Sequence, residues 1–193
     1  NGVNEAVGNR SAASRSAGDS ARRPRSSASE VLATKLGRKK DPIRIATWNV
    51  RTMLRVGKLE NIKREMKRMK INILGLCETR WTGEGEFYSD DYRIIQSGGD
   101  ERQRGVAIIL DKRTANTVEK VRYEGDRLLM VRLRGKQANI VVIQVYMPTS
   151  DHKEEEVEEM YERIEDLIDK ETKGKDYVMV MGDWNAVVEK GSE

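Results

Sequence analysis

Asp183 and Asn185 stand two positions apart, directly after Gly182, at the end of the apolar run Tyr177-Val178-Met179-Val180-Met181. Three earlier apolar runs also end in a polar group. Residues 43–48 deliver Asn49, residues 71–77 deliver Glu78, and residues 140–145 deliver Tyr146. Gathered on one rim of a sheet, these side chains amount to two carboxylates, two amides and a phenol. Carboxylate oxygens suit a hard divalent cation, while amide N–H groups and a phenol hydrogen-bond phosphate oxygens. Asp-x-Asn after a strand is also ordinary turn chemistry. Four such endings together point to metal-assisted phosphoester chemistry, because the ends of strands on one rim are where α/β sheets form sites.

The elements that must position these groups follow from the pattern around them. The uncharged run at 177–181 reads as a strand buried on both faces. Leu59, Ile62, Met66 and Met69 recur at helical spacing between the first two strands, which predicts an amphipathic helix with a basic outer face. Strand, helix and strand with short joints make a βαβ unit. Residues 82–91, rich in Gly and acids, read as a loop, and residues 92–96 and 105–110 as a hairpin around Gly98-Gly99. Strands are expected at 118–123, 128–134 and 139–146, antiparallel across their glycine turns. Asp151, with Glu154 three residues on, reads as the cap of a helix carrying Val157, Met160, Tyr161, Ile164, Leu167 and Ile168 on one face. Its acids between Glu154 and Asp166 read as a solvated face. The whole is α/β with a mixed sheet, in two sheet layers with helices outside.

Composition narrows the chemistry further. The 193 residues suffice for one sizeable core and a tail. Residues 1–41 form a basic, Ser- and Arg-rich tail expected to be disordered, with the domain occupying 42–193. Up to Pro42 the chain holds nine Lys/Arg against four Asp/Glu, and the remainder 27 against 28, so the basic surplus lies in the tail. Arg22-Arg23-Pro24-Arg25 and Arg38-Lys39-Lys40 suit nucleic-acid phosphates or a nuclear address, although a solvated linker is the plainer reading. No apolar run approaches a membrane span, and the first thirty residues do not read as a secretory signal. Cys77, the single cysteine, reads as a core residue in a reducing compartment, and with His152 as the only histidine, structural zinc and histidine-based nucleophiles are disfavoured. Trp48, Trp81 and Trp184 read as packing residues.

The sequence resembles a known family through four motifs, in order and spacing: Thr47-Trp48-Asn49-Val50-Arg51, Cys77-Glu78-Thr79-Arg80-Trp81, Val145-Tyr146-Met147-Pro148 and Gly182-Asp183-Trp184-Asn185. They resemble the endonuclease/exonuclease/phosphatase superfamily over about residues 43–193. Within it they look most like the apurinic-type endonuclease domain of RTE-type non-LTR retrotransposons and its host-derived craniofacial development protein 2 relatives. The resemblance implies a four-layer α/β sandwich and Mg²⁺- or Mn²⁺-dependent attack of water on a DNA phosphodiester. By motif, Glu78 would ligate the metal, with Asn49 helping to hold the ligand sphere and the phosphate. Tyr146 would contact the scissile phosphate, Asp183 would orient or deprotonate the water, and Asn185 would stabilise charge on the phosphoryl oxygens.

One departure stands out. The family pattern also includes a later Ser-Asp-His element, whereas this sequence ends eleven residues after Gly182. Ser150-Asp151-His152 spells that element but sits at a helix start, where it reads as a cap and a surface histidine. The sandwich is therefore expected to be incomplete on its C-terminal side, with impaired cleavage and possible self-association through an uncovered sheet. Two further readings follow: a non-catalytic nucleic-acid-binding or relic domain, and a small-molecule or inositide phosphatase.

Overall fold

The apolar runs pair into two mixed β-sheets, each with a helix over its outer surface. The computed structural model describes residues 42–149 and 154–185. The tail at 1–41 and the Ser150-Asp151-His152 segment, with the cap expected at Asp151, lie outside the described residues. The first sheet contains β1 (Ile45–Asn49), β2 (Ile73–Cys77), β3 (Glu84–Ser89), β4 (Tyr92–Ser97) and β5 (Val106–Asp111) in the order β1-β2-β5-β4-β3. The second places β6 (Val118–Tyr123), β7 (Leu128–Leu133), β8 (Ile140–Tyr146) and β9 (Tyr177–Asp183) side by side in sequence order. Helix α1 (Lys58–Met69) joins β1 to β2, a short α2 (Lys112–Ala115) follows β5, and α3 (Glu154–Glu171) joins β8 to β9.

Three apolar layers hold these elements together. Ile73, Ile108 and Leu110 meet Leu129, Val131 and Val142 between the sheets. Ile62 and Met66 of α1 pack on Leu74, Leu76 and Ile109 outside the first sheet. Met160, Ile164 and Leu167 of α3 pack on Met130, Val141 and Ile143 outside the second. The architecture is thus a four-layer α/β sandwich. No helix among the described residues is long and apolar enough to cross a membrane.

Both helices span parallel strand pairs, and their registers prepare the site. Asn49 lies level with Cys77 in the β1/β2 pair, and Tyr146 lies level with Asp183 in the β8/β9 pair. The expected single rim is therefore two facing rims, because β1 and β2 belong to one sheet and β8 and β9 to the other. Between the sheets Gly75 leaves room for the fully buried Gln144 carboxamide, since a Cβ there would lie 1.7 Å from its Oε1. Gln144 Nε2 donates to Thr47 Oγ1 at 3.1 Å and to the Cys77 sulfur at 3.0 Å.

Several expectations need correction. Residues 82–91 contain β3, an antiparallel partner of β4, rather than a continuous loop. Its acidic side chains stay in water at the sheet edge, where Glu86 pairs with Arg93 at 2.5 Å, so no apolar alternation marks it. Strand β9 is not buried on both faces. Among the described residues it is hydrogen-bonded to β8 alone, and Tyr177, Val178 and Met179 are exposed. The outer face of α1 is not uniformly basic to solvent, because Lys63 is buried against Glu60 and Asp90, 2.6 Å from each. Tyr161 leaves the apolar face of α3 and stacks on Trp184.

Buried charge fixes the end of α3. The Glu171 carboxylate accepts from Lys120 at 2.6 Å and Arg122 at 2.7 Å, and Arg132 reaches both the Glu171 carbonyl and, at 2.8 Å, Asp176. Burial alone would raise the Glu171 pKa, but the two cations outweigh it and hold it below the ordinary carboxylate value. Its contribution to stability is complete above the unfolded pKa and is lost as pH falls through the lower folded value. Urea midpoints measured from neutral pH down to about pH 3 should therefore fall for the native chain, and fall less for Glu171→Gln. Gly75→Ala should cost about 2 kcal/mol by the same measurement, because Gln144 is pinned and cannot swing aside.

Candidate active site

Asn49 closes β1, and its Nδ2 lies 2.6 Å from Glu78 Oε1 and 2.6 Å from Asp183 Oδ2. One carboxamide thus joins two carboxylates carried by different sheets. Its own oxygen accepts from the Arg51 N–H at 3.0 Å, which holds the amide with its nitrogen toward the acids. Tyr146 completes the group. Its half-buried phenol lies within the field of the Glu78 and Asp183 carboxylates, and the Arg127 guanidinium lies over its ring, 5.2 Å from the centroid. Burial raises the Tyr146 pKa, the Glu78 and Asp183 charges raise it further, and Arg127 opposes them. The phenol therefore stays a neutral donor at physiological pH. Burial pushes Arg127 below its ordinary value.

Backbone strain concentrates at the same place. Among the described residues, Arg51 (φ 59°), Glu78 (56°), Arg80 (59°) and Asn185 (46°) are left-handed, each within two residues of Asn49, Glu78 or Asp183. Such conformations cost about 1–3 kcal/mol apiece and persist where the surroundings over-determine them. The surroundings do so here. Val50 N–H donates to the Cys77 carbonyl at 3.0 Å, Met53 N–H to Thr79 at 2.8 Å, and Arg80 N–H to Arg104 at 2.7 Å. Asp183 Oδ1 accepts from the Asn185 N–H at 3.1 Å, an Asx turn that closes the chain after β9.

The structure brings Asn49, Glu78, Tyr146 and Asp183 together. Asn185 sits beside them, but its Nδ2 donates to the Met147 carbonyl at 2.7 Å, so part of its donor capacity ties β9 to the loop after β8. Sequence reasoning missed Arg127, because nothing in a polar turn after Gly125-Asp126 marks an arginine as buried under a tyrosine. It also missed the buried Thr79, whose N–H donates to the Gly105 carbonyl at 3.0 Å and anchors the strained loop. Trp48 and Trp81 pack against the α1 layer as expected, while Trp184 stays partly exposed on Tyr161. Cys77 is fully buried, and its thiol donates to the Val145 carbonyl at 3.1 Å.

A metal at this rim would meet hard oxygen donors from the Glu78 and Asp183 carboxylates, while the Asn49 amide turns its nitrogen toward them and its oxygen to the Arg51 N–H. Among the described residues no group of three or more His, Cys, Asp or Glu comes together. The donor set fits a hard divalent cation, which takes one or two carboxylates and completes its shell with water and phosphate oxygens. It does not fit a dedicated zinc site.

Residues 46–192 match the Endonuclease/Exonuclease/phosphatase family. The chain belongs to that family. A relative, craniofacial development protein 2 of Bos taurus, is 45% identical over 145 residues, which is 75% of this chain and 24% of the relative. The chain spans about a quarter of the length of the curated relatives it matches. Among solved structures, the endonuclease domain of TRAS1, a telomere-specific non-LTR retrotransposon, is similar with a TM-score of 0.54 at 18% identity, over 76% of this chain and 61% of that one. The AP endonuclease LMAP of Leishmania major gives 0.56 at 14% identity, over 73% and 54%. At these identities the two structures share the family fold with this chain.

Burial, ahead of the Asp183 and Glu78 charges, raises the Cys77 thiol to about 11. A thiol reagent at about pH 8 should leave the native protein unmodified for hours and label the single cysteine promptly once denaturant is added.

Proposed function

We propose that this chain is a divalent-metal-dependent endonuclease that hydrolyses phosphodiester bonds in DNA. The observation that carries the reading is the Asn49 amide, 2.6 Å from a carboxylate on either side, with the neutral Tyr146 phenol next to it. Family membership and the endonuclease names of two structural neighbours support it.

In this reading Glu78 would hold Mg²⁺ or Mn²⁺, and Asn49 would help hold the ligand sphere by positioning the Glu78 and Asp183 carboxylates. When bound, such a cation polarises a phosphoryl oxygen and opposes the negative charge that grows there. Tyr146 donates a hydrogen bond to a non-bridging oxygen of the scissile phosphate. Asp183 orients the attacking water and accepts its proton, since its Oδ2 is fixed by Asn49 and its Oδ1 by the turn at Asn185. The remaining amide hydrogen of Asn185 stabilises charge on the phosphoryl group. The basic clusters at 22–25 and 38–40 fit a nuclear address in the same picture.

Nicking of supercoiled plasmid and of an abasic duplex by residues 1–193 tests this. Cleavage should require Mg²⁺ or Mn²⁺, stop with EDTA, and fall at least about 100-fold in Asp183→Ala. Cleavage unaffected by EDTA or by that substitution would overturn the proposal. Salt-dependent DNA binding without nicking, from a folded sample, would select the non-catalytic binding module instead.

A further inference from the structure

Beside the rim lies a separate pocket of about 300 Å³, lined by Leu54, Arg80, Trp81, Thr82, Phe87, Gln96 and Arg102. It opens from the same loops that carry the site residues. Arg80 and Trp81 follow Glu78 by two and three positions, and Leu54 follows Asn49 by five, the two loops being tied by the Met53-to-Thr79 hydrogen bond. Its walls combine three chemistries. Leu54 is 47% and Phe87 40% exposed, a large apolar surface for residues not otherwise covered. Trp81 meets Phe87 edge-on at 5.8 Å and 70°, which makes an aromatic corner. Gln96 donates through Nε2 to the Thr82 carbonyl, and its Oε1 is buried without a hydrogen-bond partner. Arg80 and Arg102 add two cations.

A ligand that suits all three has a flat apolar face, an edge bearing N–H donors and nearby negative charge. A nucleotide has these properties. The volume lies at the lower end of small-ligand sites and suits one ring system. An orphaned buried carbonyl costs free energy until a donor reaches it, which gives the Gln96 oxygen a reason to prefer a base edge to an aliphatic occupant. Base–aromatic stacking supplies affinity without demanding a particular sequence, and the arginines track the flanking phosphates.

We propose that this pocket receives one unstacked nucleobase of the DNA strand held at the rim, stacked in the Trp81–Phe87 corner, with Gln96 Oε1 accepting from its edge and Arg80 and Arg102 holding adjacent phosphates. This rests on the nuclease reading. It adds that the chain engages DNA that is single-stranded or locally opened beside the cut, and not only intact duplex.

The test uses residues 1–193 in EDTA, so that no cleavage intervenes. A single-stranded oligonucleotide and an oligomer of equal length lacking every base are bound to the native chain and to Phe87→Ala, with anisotropy as the readout. Phe87 lies on an edge strand and is partly exposed, so the variant keeps its fold, checked by its urea midpoint. The substitution should weaken binding of the base-containing oligonucleotide about five- to 100-fold, a loss confined to that oligomer. Photocrosslinking from 5-iodouracil in the oligonucleotide should map to the peptide containing Trp81 and Phe87. Equal losses for both oligomers, or crosslinks only elsewhere, would overturn the pocket while leaving the nuclease reading intact. Failure of the native chain to bind any oligomer at low salt would overturn both.

Discussion

A buried carboxamide pins the two sheets and thereby aligns everything at the rim. Gln144 lies between the sheets in the space that the missing Cβ of Gly75 leaves, and bonds Thr47 and Cys77 of the opposite sheet. A half-satisfied amide in that position would be costly, so these bonds restrict how one sheet can slide over the other. The consequence follows from strand periodicity. Side chains two apart on a strand share a face. Asn49 therefore faces the same way as Thr47, Tyr146 the same way as Gln144, and Asp183 the same way as the buried Met181. Each of these three stands one step outward from a residue that packs between the sheets, whereas Glu78 lies past the end of β2 in a left-handed turn. The rim is the exposed continuation of the core.

That arrangement explains why the groups differ in character despite their proximity. Asn49 is exposed and supplies a donor to both acids, which would otherwise face each other uncompensated. Tyr146 is half-buried, between two carboxylates on one side and a buried guanidinium on the other. The neighbouring acids stabilise its proton, and the arginine keeps its ring in place through stacking and a 3.2 Å bond to its carbonyl. The left-handed residues at the same rim turn three chain segments, those after Asn49, Glu78 and Asp183, sharply away as soon as they have delivered a side chain. Loops that left more gradually would cover the carboxylates.

Much of this was legible in the sequence, for a definite reason. A strand that bears on the core carries an apolar run, so the polar residue that ends the run marks where the strand leaves the core. Asn49, Glu78, Tyr146 and Asp183 were each found that way, and the two crossover helices were visible in their 3.6-residue spacing. The remainder needed information that lies between segments. Nothing in the acidic run at 84–89 distinguishes an edge strand from a loop, because its partner residues on β4 satisfy the backbone while its side chains remain in water. The burial of Lys63 depends on Asp90, 27 positions away, and that of Arg127 on a tyrosine 19 positions away. Which strands share a sheet was equally invisible, since an apolar run does not name the strand beside it. Likewise the run at 177–181 is as apolar as a central strand, yet it sits at an edge.

That edge position has a dynamic consequence. Among the described residues the strand carrying Asp183, like the strand carrying Asn49, is bonded along one side only, and it shows Tyr177, Val178 and Met179 to solvent. Few buried contacts and solvent-exposed backbone bonds lower the free energy of local opening there. Whatever draws Asp183 toward Glu78 across the Asn49 amide also clamps this strand to the first sheet. By linkage, the tightness of a ligand at the rim and the slowness of hydrogen exchange along β9 become two measures of the same coupling.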